Sequence, residues 1–317
     1  MIPRTFLMSA CLTALLLAGS GRCVTGEPAR SPQIEQRVKA FNHLYVVMRV
    51  KYSSTRDVIR MFDSAYQSLF SPLQHRATIA TLKSSDVVDL FNMAFSTQYM
   101  TNEPRYIADM ELDLRELERT GHAAQLQYDN LYEAFVGSRM FVEARKLRES
   151  HASAAMAPVP EFDDVSSQGR AGPTEIVVSA DARRLTRRDV NLDSSAEVLV
   201  VVSPLCHFAQ YSLGDIASDS KIGTAFSQHA TWLVPPDDGS TPVAEVARWN
   251  REHPHEPMVL AYDYHEWPMI DRWYTPVFYF LRNGRLVSEV IGWPRAGRKP
   301  EIVAALQNVG LMPVIKR

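Results

Sequence analysis

VLVVVSPLCHFAQ, residues 198–210, decides how the second half of the chain is read. Val198 to Val202 is an unbroken apolar run rich in β-branched side chains. A strand exposed on one face alternates, so a continuous run predicts a central strand covered on both faces. Pro204 stops it, because proline lacks the N–H that a sheet ladder needs. Cys206 then falls where the carboxyl end of that strand meets a helix running from about His207 to Ile216. Backbone N–H groups at a helix start are unpaired and its dipole favours an anion. A thiolate is therefore favoured there, and helix-start cysteines ionise well below the free value of ~8.5. His207 adds positive charge when protonated. The competing reading of a single buried cysteine is a small hydrophobe.

Working outward, the same half alternates strands and helices. TEIVVS (174–179) and RRLTRRDVNL (183–192) flank Asp181-Ala182 as a hairpin. ATWLVPP (230–236) and PMVLAYDY (257–264) read as strands around a helix in VAEVARWNREH (243–253). VFYFLRNGRLVSEVIGW (277–293) is a hairpin about Asn283-Gly284, the strongest short turn signal in the chain. KPEIVAALQNVG (299–310) closes as a helix with Gly310 beyond its end. The pattern predicts an α/β layer with a mixed sheet.

A Val-rich strand, Pro-x-Cys at a helix start and Thr275-Pro276 before the hairpin together resemble the thioredoxin fold, over residues 174–312. In that family a cis proline faces the active cysteine and shapes the site for an extended substrate. The resemblance places Pro276 in that role and Gly292 as the glycine after the last strand. The amino-terminal hairpin resembles the exported, periplasmic redoxin branch. It implies catalysis at Cys206 with His207 as the nearby base. Phe208, Trp273, Thr275 and Pro276 would line the substrate site. The chain departs from the family at two positions. The Cys-x-x-Cys motif is replaced by Cys206-His207-Phe208-Ala209, and Val200 stands where a buried acid belongs. Ser203 is similar to the first residue of the T-x-x-C of peroxiredoxins, but their proline seven positions before the cysteine is here Leu199.

Residues 33–150 read as helices. Val38, Phe41, Leu44 and Tyr45 recur at helical spacing, as do Val58, Met61, Phe62 and Tyr66. Ala65-Tyr66, Ala94-Phe95 and Ala134-Phe135 place a small residue before an aromatic. Leu131, Ala134, Phe135, Phe141, Ala144 and Leu147 would line one face of a helical hairpin joined at Gly137-Ser138. This resembles a tetratricopeptide unit with degenerate spacing, which implies a protein partner; a plain helical bundle is the alternative. Residues 151–173, rich in Pro, Gly and small side chains, read as a linker.

The chain opens with Arg4, an apolar run from Phe6 to Ala18 and small residues to Gly21. Residues 1–20 thus read as a signal peptide, too short for a comfortable membrane span. A buried helix, an uncleaved anchor and a lipid on Cys23 are the alternatives. Known lipoprotein signals resemble L-A-G-C, from which Arg22 before Cys23 departs. In an oxidising compartment one body cysteine, Cys206, suggests a reactive thiol.

Composition narrows the classes further. The chain has 317 residues, 46% hydrophobic, with net charge −2, which excludes disorder and gives no basic stripe for nucleic acid. Three cysteines support neither a disulfide framework nor a four-cysteine zinc site. His253, His255, Asp263, His265 and Glu266 fit no metal-ligand spacing and read as loop residues. Arg183, Arg184, Arg187 and Arg188 read as solvated charge. Two functions are consistent with this pattern. One is an exported one-cysteine thiol–disulfide exchange protein, acting on client proteins through Cys206 with an external thiol donor. The other is a redox-inactive thioredoxin-fold recognition module, with the helical half as a second surface. Neither calls for a cofactor or a metal.

Overall fold

The computed structural model describes residues 30–51, 54–167, 172–192, 195–236 and 243–313. The expected signal peptide, Cys11 and Cys23 lie outside the described residues. Among the described residues, no helix is long and apolar enough to cross a membrane.

The amino-terminal part is helical. Its elements are α1 (Pro32–Lys51), α2 (Thr55–Leu69), the single turn α3 (Arg76–Ile79), α4 (Ser84–Thr101), α5 (Arg105–Thr120), α6 (Gln125–Gly137) and α7 (Phe141–His151). Their ends obey local chemistry. Ser54 caps α2 by accepting from the Asp57 N–H at 3.4 Å, and Gly121 takes the left-handed conformation that ends α5. Helix α4 is central and packs against α1, α2, α5 and α6. The core is aromatic, with edge-to-face pairs Phe41–Phe62 (5.5 Å), Phe41–Phe70 (5.7 Å) and Tyr66–Tyr106 (4.8 Å). The hairpin about Gly137-Ser138 forms, with Leu131, Ala134, Phe135 and Ala144 in this core. Phe141 departs from the expected face. It inserts into the α/β core and meets Phe162 at 5.0 Å.

The rest of the chain builds an eight-stranded mixed sheet. In chain order it contains β1 (Glu161–Asp164), β2 (Thr174–Val178), β3 (Arg184–Asp189), β4 (Glu197–Val201), β5 (Ala230–Val234), β6 (Met258–Ala261), β7 (Val277–Arg282) and β8 (Arg285–Ile291). Helices α8 (His207–Ala217) and α9 (Ser220–His229) join β4 to β5, α10 (Val243–Glu252) joins β5 to β6, and α11 (Lys299–Val309) comes after β8. The spatial order is β1-β3-β2-β6-β5-β4-β7-β8. Strand β4 pairs in parallel with β5 and antiparallel with β7. Its side chains divide between two cores. Val198, Val200 and Val202 join Trp232, Phe278, Phe280 and residues of α8, α9 and α11. Leu199 and Val201 join Tyr279, Trp267, Ile270 and Trp273 on the opposite face.

The expected linker contains a strand. Glu161–Asp164 pairs in parallel with β3, and Glu161, Asp163 and Asp164 meet arginines of β3 that the sequence reads as solvated. Arg184 pairs with Glu161 (3.0 Å) and Asp163 (3.5 Å), and Arg187 with Asp164 (3.0 Å) and Glu266 (2.7 Å). The Arg184 pairs are exposed and contribute little each, whereas the Arg187–Glu266 pair is half-buried. The backbone bonds from Glu161 N to Arg183 O (2.8 Å) and Val165 N to Arg187 O (3.0 Å), and the half-buried Phe162, fix the register.

One polar network lies inside the helical core. Gln74 Nε2 donates to Tyr66 Oη (3.1 Å) and Asp113 Oδ2 (3.0 Å), and Tyr66 donates to Asp109 (2.9 Å). Asp113 is fully buried, and burial pushes its carboxyl well above the usual range. The folded protein therefore keeps a proton that the unfolded chain gives up near pH 4. This contribution favours folding at low pH and is lost as pH rises towards the folded value. Asp113→Asn keeps an acceptor for Gln74 and carries no charge. In urea unfolding it should gain stability relative to the parent as pH rises above about 4. A difference independent of pH would contradict the assignment.

Candidate functional site

Cys206 sits where the buried strand β4 hands over to α8. The chain leaves β4 through a tight turn in which Leu205 N donates to Ser203 Oγ (3.2 Å) and Cys206 N to Ser203 O (3.1 Å). Gln210 closes the turn from the helix side, its Nε2 donating to Pro204 O at 2.7 Å. Cys206 is the N-cap of α8, with extended backbone, and its carbonyl accepts from Gln210 N at 3.0 Å. The thiol is half-buried, unbridged and packed against the core on the Val198–Val200 face.

The segment before β7 supplies the opposite wall. Cys206 Sγ lies 3.5 Å from the Thr275 carbonyl oxygen and donates to it. The Thr275–Pro276 bond is cis, Pro276 is buried and Thr275 half-buried. Pro276 O accepts from Gly292 N at 2.8 Å, tying the segment to the end of β8. Exposed apolar side chains flank the thiol: Leu205 (54% exposed), Phe208 (48%) and Tyr211 (64%) on one element, Tyr274 (48%) on the other.

The anticipated site residues divide. Cys206, Thr275 and Pro276 come together, with Phe208 exposed on the first turn of α8. His207 is exposed, and its ring faces Phe208 (4.2 Å between centroids) and Tyr211 (5.9 Å). Trp273 does not line the thiol. It is 6% exposed, lies in the core of the opposite sheet face and meets Tyr264 edge-on at 5.2 Å. Ala209 is fully buried, as is Val200. The histidine–carboxylate cluster also separates. His265 Nδ1 contacts Asp263 at 2.8 Å in an exposed turn, while Glu266 accepts from Thr174 N (3.0 Å) and pairs with Arg187.

Residues far off in sequence also hold this wall. Thr55 N donates to Asp271 O (2.8 Å), Ser54 Oγ to Asp271 Oδ1 (2.6 Å), and Trp273 N to Thr55 Oγ1 (3.0 Å). Arg272 N donates to Tyr279 Oη (2.9 Å), and the Arg272 guanidinium pairs with Glu289 at 2.8 Å. Sequence periodicity carries no signal for contacts across this separation. Gln210 does have a local signal, since its place on the first turn of α8 lets it reach back to Pro204.

No family model matches the chain, and neither does a curated protein or a solved structure.

Gly292 has φ +71°, a region that L side chains enter at a cost, and a Cβ there would meet no atom within 4 Å. Gly292→Ala should therefore lower unfolding free energy by about 1–2 kcal/mol through backbone strain alone. Gly292→Asn should cost less, because Asn tolerates this region. Urea unfolding of the two variants checks the order; an unchanged Gly292→Ala protein would contradict it.

Proposed function

We propose that the protein is a thioredoxin-like, one-cysteine thiol–disulfide exchange protein that acts on client proteins outside the cytoplasm through Cys206. The observation that carries this reading is the placement of the thiol. A strand buried on both faces delivers Cys206 to the start of α8, against the Thr275 carbonyl and within an exposed apolar rim.

The exchange step is a displacement. The Cys206 thiolate attacks one sulfur of a client disulfide, forming a Cys206–client disulfide, and the client's other sulfur leaves as a thiolate. An external thiolate then attacks the mixed disulfide, binds the client sulfur and releases Cys206 as thiolate. One disulfide is broken and one formed at each step. Leu205, Phe208, Tyr211 and Tyr274 offer apolar contact to the segment flanking the client cysteine. Ala209 stands where a resolving sulfur would be, so resolution depends on the outside thiol.

A second reading, a recognition module without turnover, is favoured by one observation. The positions that would hold the second sulfur and the buried acid are Ala209 and Val200, both fully buried.

Turnover separates the two. Reduction of a disulfide peptide should be slow and rise in proportion to added small thiol, and Cys206→Ser should abolish covalent adducts. Ala209→Cys places a thiol one helical turn from Cys206 and makes resolution intramolecular, so turnover at fixed low thiol should rise by at least about tenfold. The exchange reading fails if Ala209→Cys forms its internal disulfide and gains nothing, or if the parent's rate is independent of thiol.

A further inference from the structure

We propose that Ser54 and Thr55, at the start of α2 in the helical part of the chain, are positioning residues for the Cys206 site. They act through Asp271 and Trp273 on the wall that carries the Thr275 carbonyl. This inference deepens the thiol-exchange reading and rests on it.

The first N–H groups of a helix have no partner within it and must find one outside. At the start of α2, Ser54 accepts from the Asp57 N–H in the usual N-cap manner, at 3.4 Å. The Thr55 N–H is met from the other part of the molecule, by the Asp271 carbonyl at 2.8 Å. The Asp271 side chain adds a second link, accepting from Ser54 Oγ at 2.6 Å. A carboxylate at a helix start is also favoured by the dipole. Two residues on, Trp273 N donates back to Thr55 Oγ1 at 3.0 Å. Three hydrogen bonds thus join a two-residue corner of α2 to residues 271–273, with donors on both sides.

The clamp matters because residues 274 and 275 form part of the site. Tyr274 is an exposed part of the rim, and Thr275 carries the oxygen that Cys206 Sγ contacts at 3.5 Å. Between Trp273 N and Thr275 O the chain has little slack, because a residue advances the backbone by at most ~3.6 Å. The segment is held on the sheet side as well. Tyr279 Oη accepts from Arg272 N (2.9 Å) and donates to Arg272 O (3.0 Å). The buried Trp273 ring fills the core between them. The wall facing the thiol is therefore set partly by the sheet beneath it and partly by a helix more than two hundred residues earlier. Neither Ser54 nor Thr55 reaches the thiol, so their effect falls on docking of a peptide against Tyr274 and Thr275. A small reagent that needs no docking should be insensitive.

The experiment compares two reactions of Cys206 in the full chain: exchange with an apolar disulfide peptide, and alkylation by iodoacetamide. Asp271→Ala and Thr55→Val each remove a side-chain partner of the clamp. Peptide exchange should fall about three- to tenfold, the range of one hydrogen bond, while alkylation stays within about twofold. Asp271→Asn retains the acceptor for Ser54, and Thr55→Ser retains the acceptor for Trp273, so both should keep parental exchange. If Asp271→Ala folds poorly, Thr55→Val, which is isosteric, carries the comparison.

Unchanged exchange in Asp271→Ala and Thr55→Val overturns the clamp. So does a loss that the Asn and Ser variants share, or one that alkylation tracks in parallel. Absence of exchange by the parent protein is a separate result. It overturns the thiol-exchange reading, and the clamp's role with it.

Discussion

Everything in the α/β part depends on β4 being covered on both faces. Val198 and Val200 point into one core, and Leu199 and Val201 into the other, while β5 and β7 occupy both edges. A strand so enclosed has its backbone groups satisfied by its neighbours and leaves the chain free only at its ends. At the carboxyl end comes the Ser203–Cys206 turn, stapled by Ser203 and Gln210. The thiol inherits its position from a strand enclosed on both faces. In the proposed exchange, a small displacement of the attacking sulfur would slow the reaction, so a buried strand is a suitable support.

The opposite wall is built differently. Thr275 sits near the end of a segment, residues 262–276, that holds one 3-10 turn at Tyr264–Glu266 and no strand. It is fixed by Tyr279 from the sheet, by Gly292 from the end of β8 and by the corner of α2. The site is thus a firmly held thiol facing a wall with several independent supports. The helical part does more than add a separate surface, since Phe141 enters the α/β core and Ser54 and Thr55 bond to Asp271.

Elements whose signal is local were legible in the sequence. The continuous run at 198–202, the hairpin at Asn283-Gly284 and the helix after Cys206 are all read from neighbours a few positions apart. The same local signals put the thiol at the junction of β4 and α8. Helix α9 has a local signal too, although the strand–helix alternation does not single it out. Asp219 caps it by accepting from Lys221 N and Ile222 N, and Ile222, Ala225 and Phe226 recur at helical spacing. Strand β1 was not legible, because EFDD shows no apolar alternation and its pairing rests on backbone bonds to a partner some twenty residues on. Trp273 departs from its expected place for a related reason. The Thr275 carbonyl two residues on meets the thiol, but the Trp273 ring lies on the opposite sheet face with Tyr264 and the core around Trp267. The contacts between the start of α2 and Asp271 lie beyond any pattern of spacing.

In the proposed exchange Cys206 is a nucleophile whose covalent adduct waits for an outside thiol. Intact-mass measurement after incubating the protein with an oxidised disulfide peptide, in the absence of small thiols, tests it most directly. One added peptide mass should appear, mapped to Cys206, persist on standing and disappear on addition of a small thiol. No adduct, or an adduct on another cysteine with Cys206 unmodified, would contradict it.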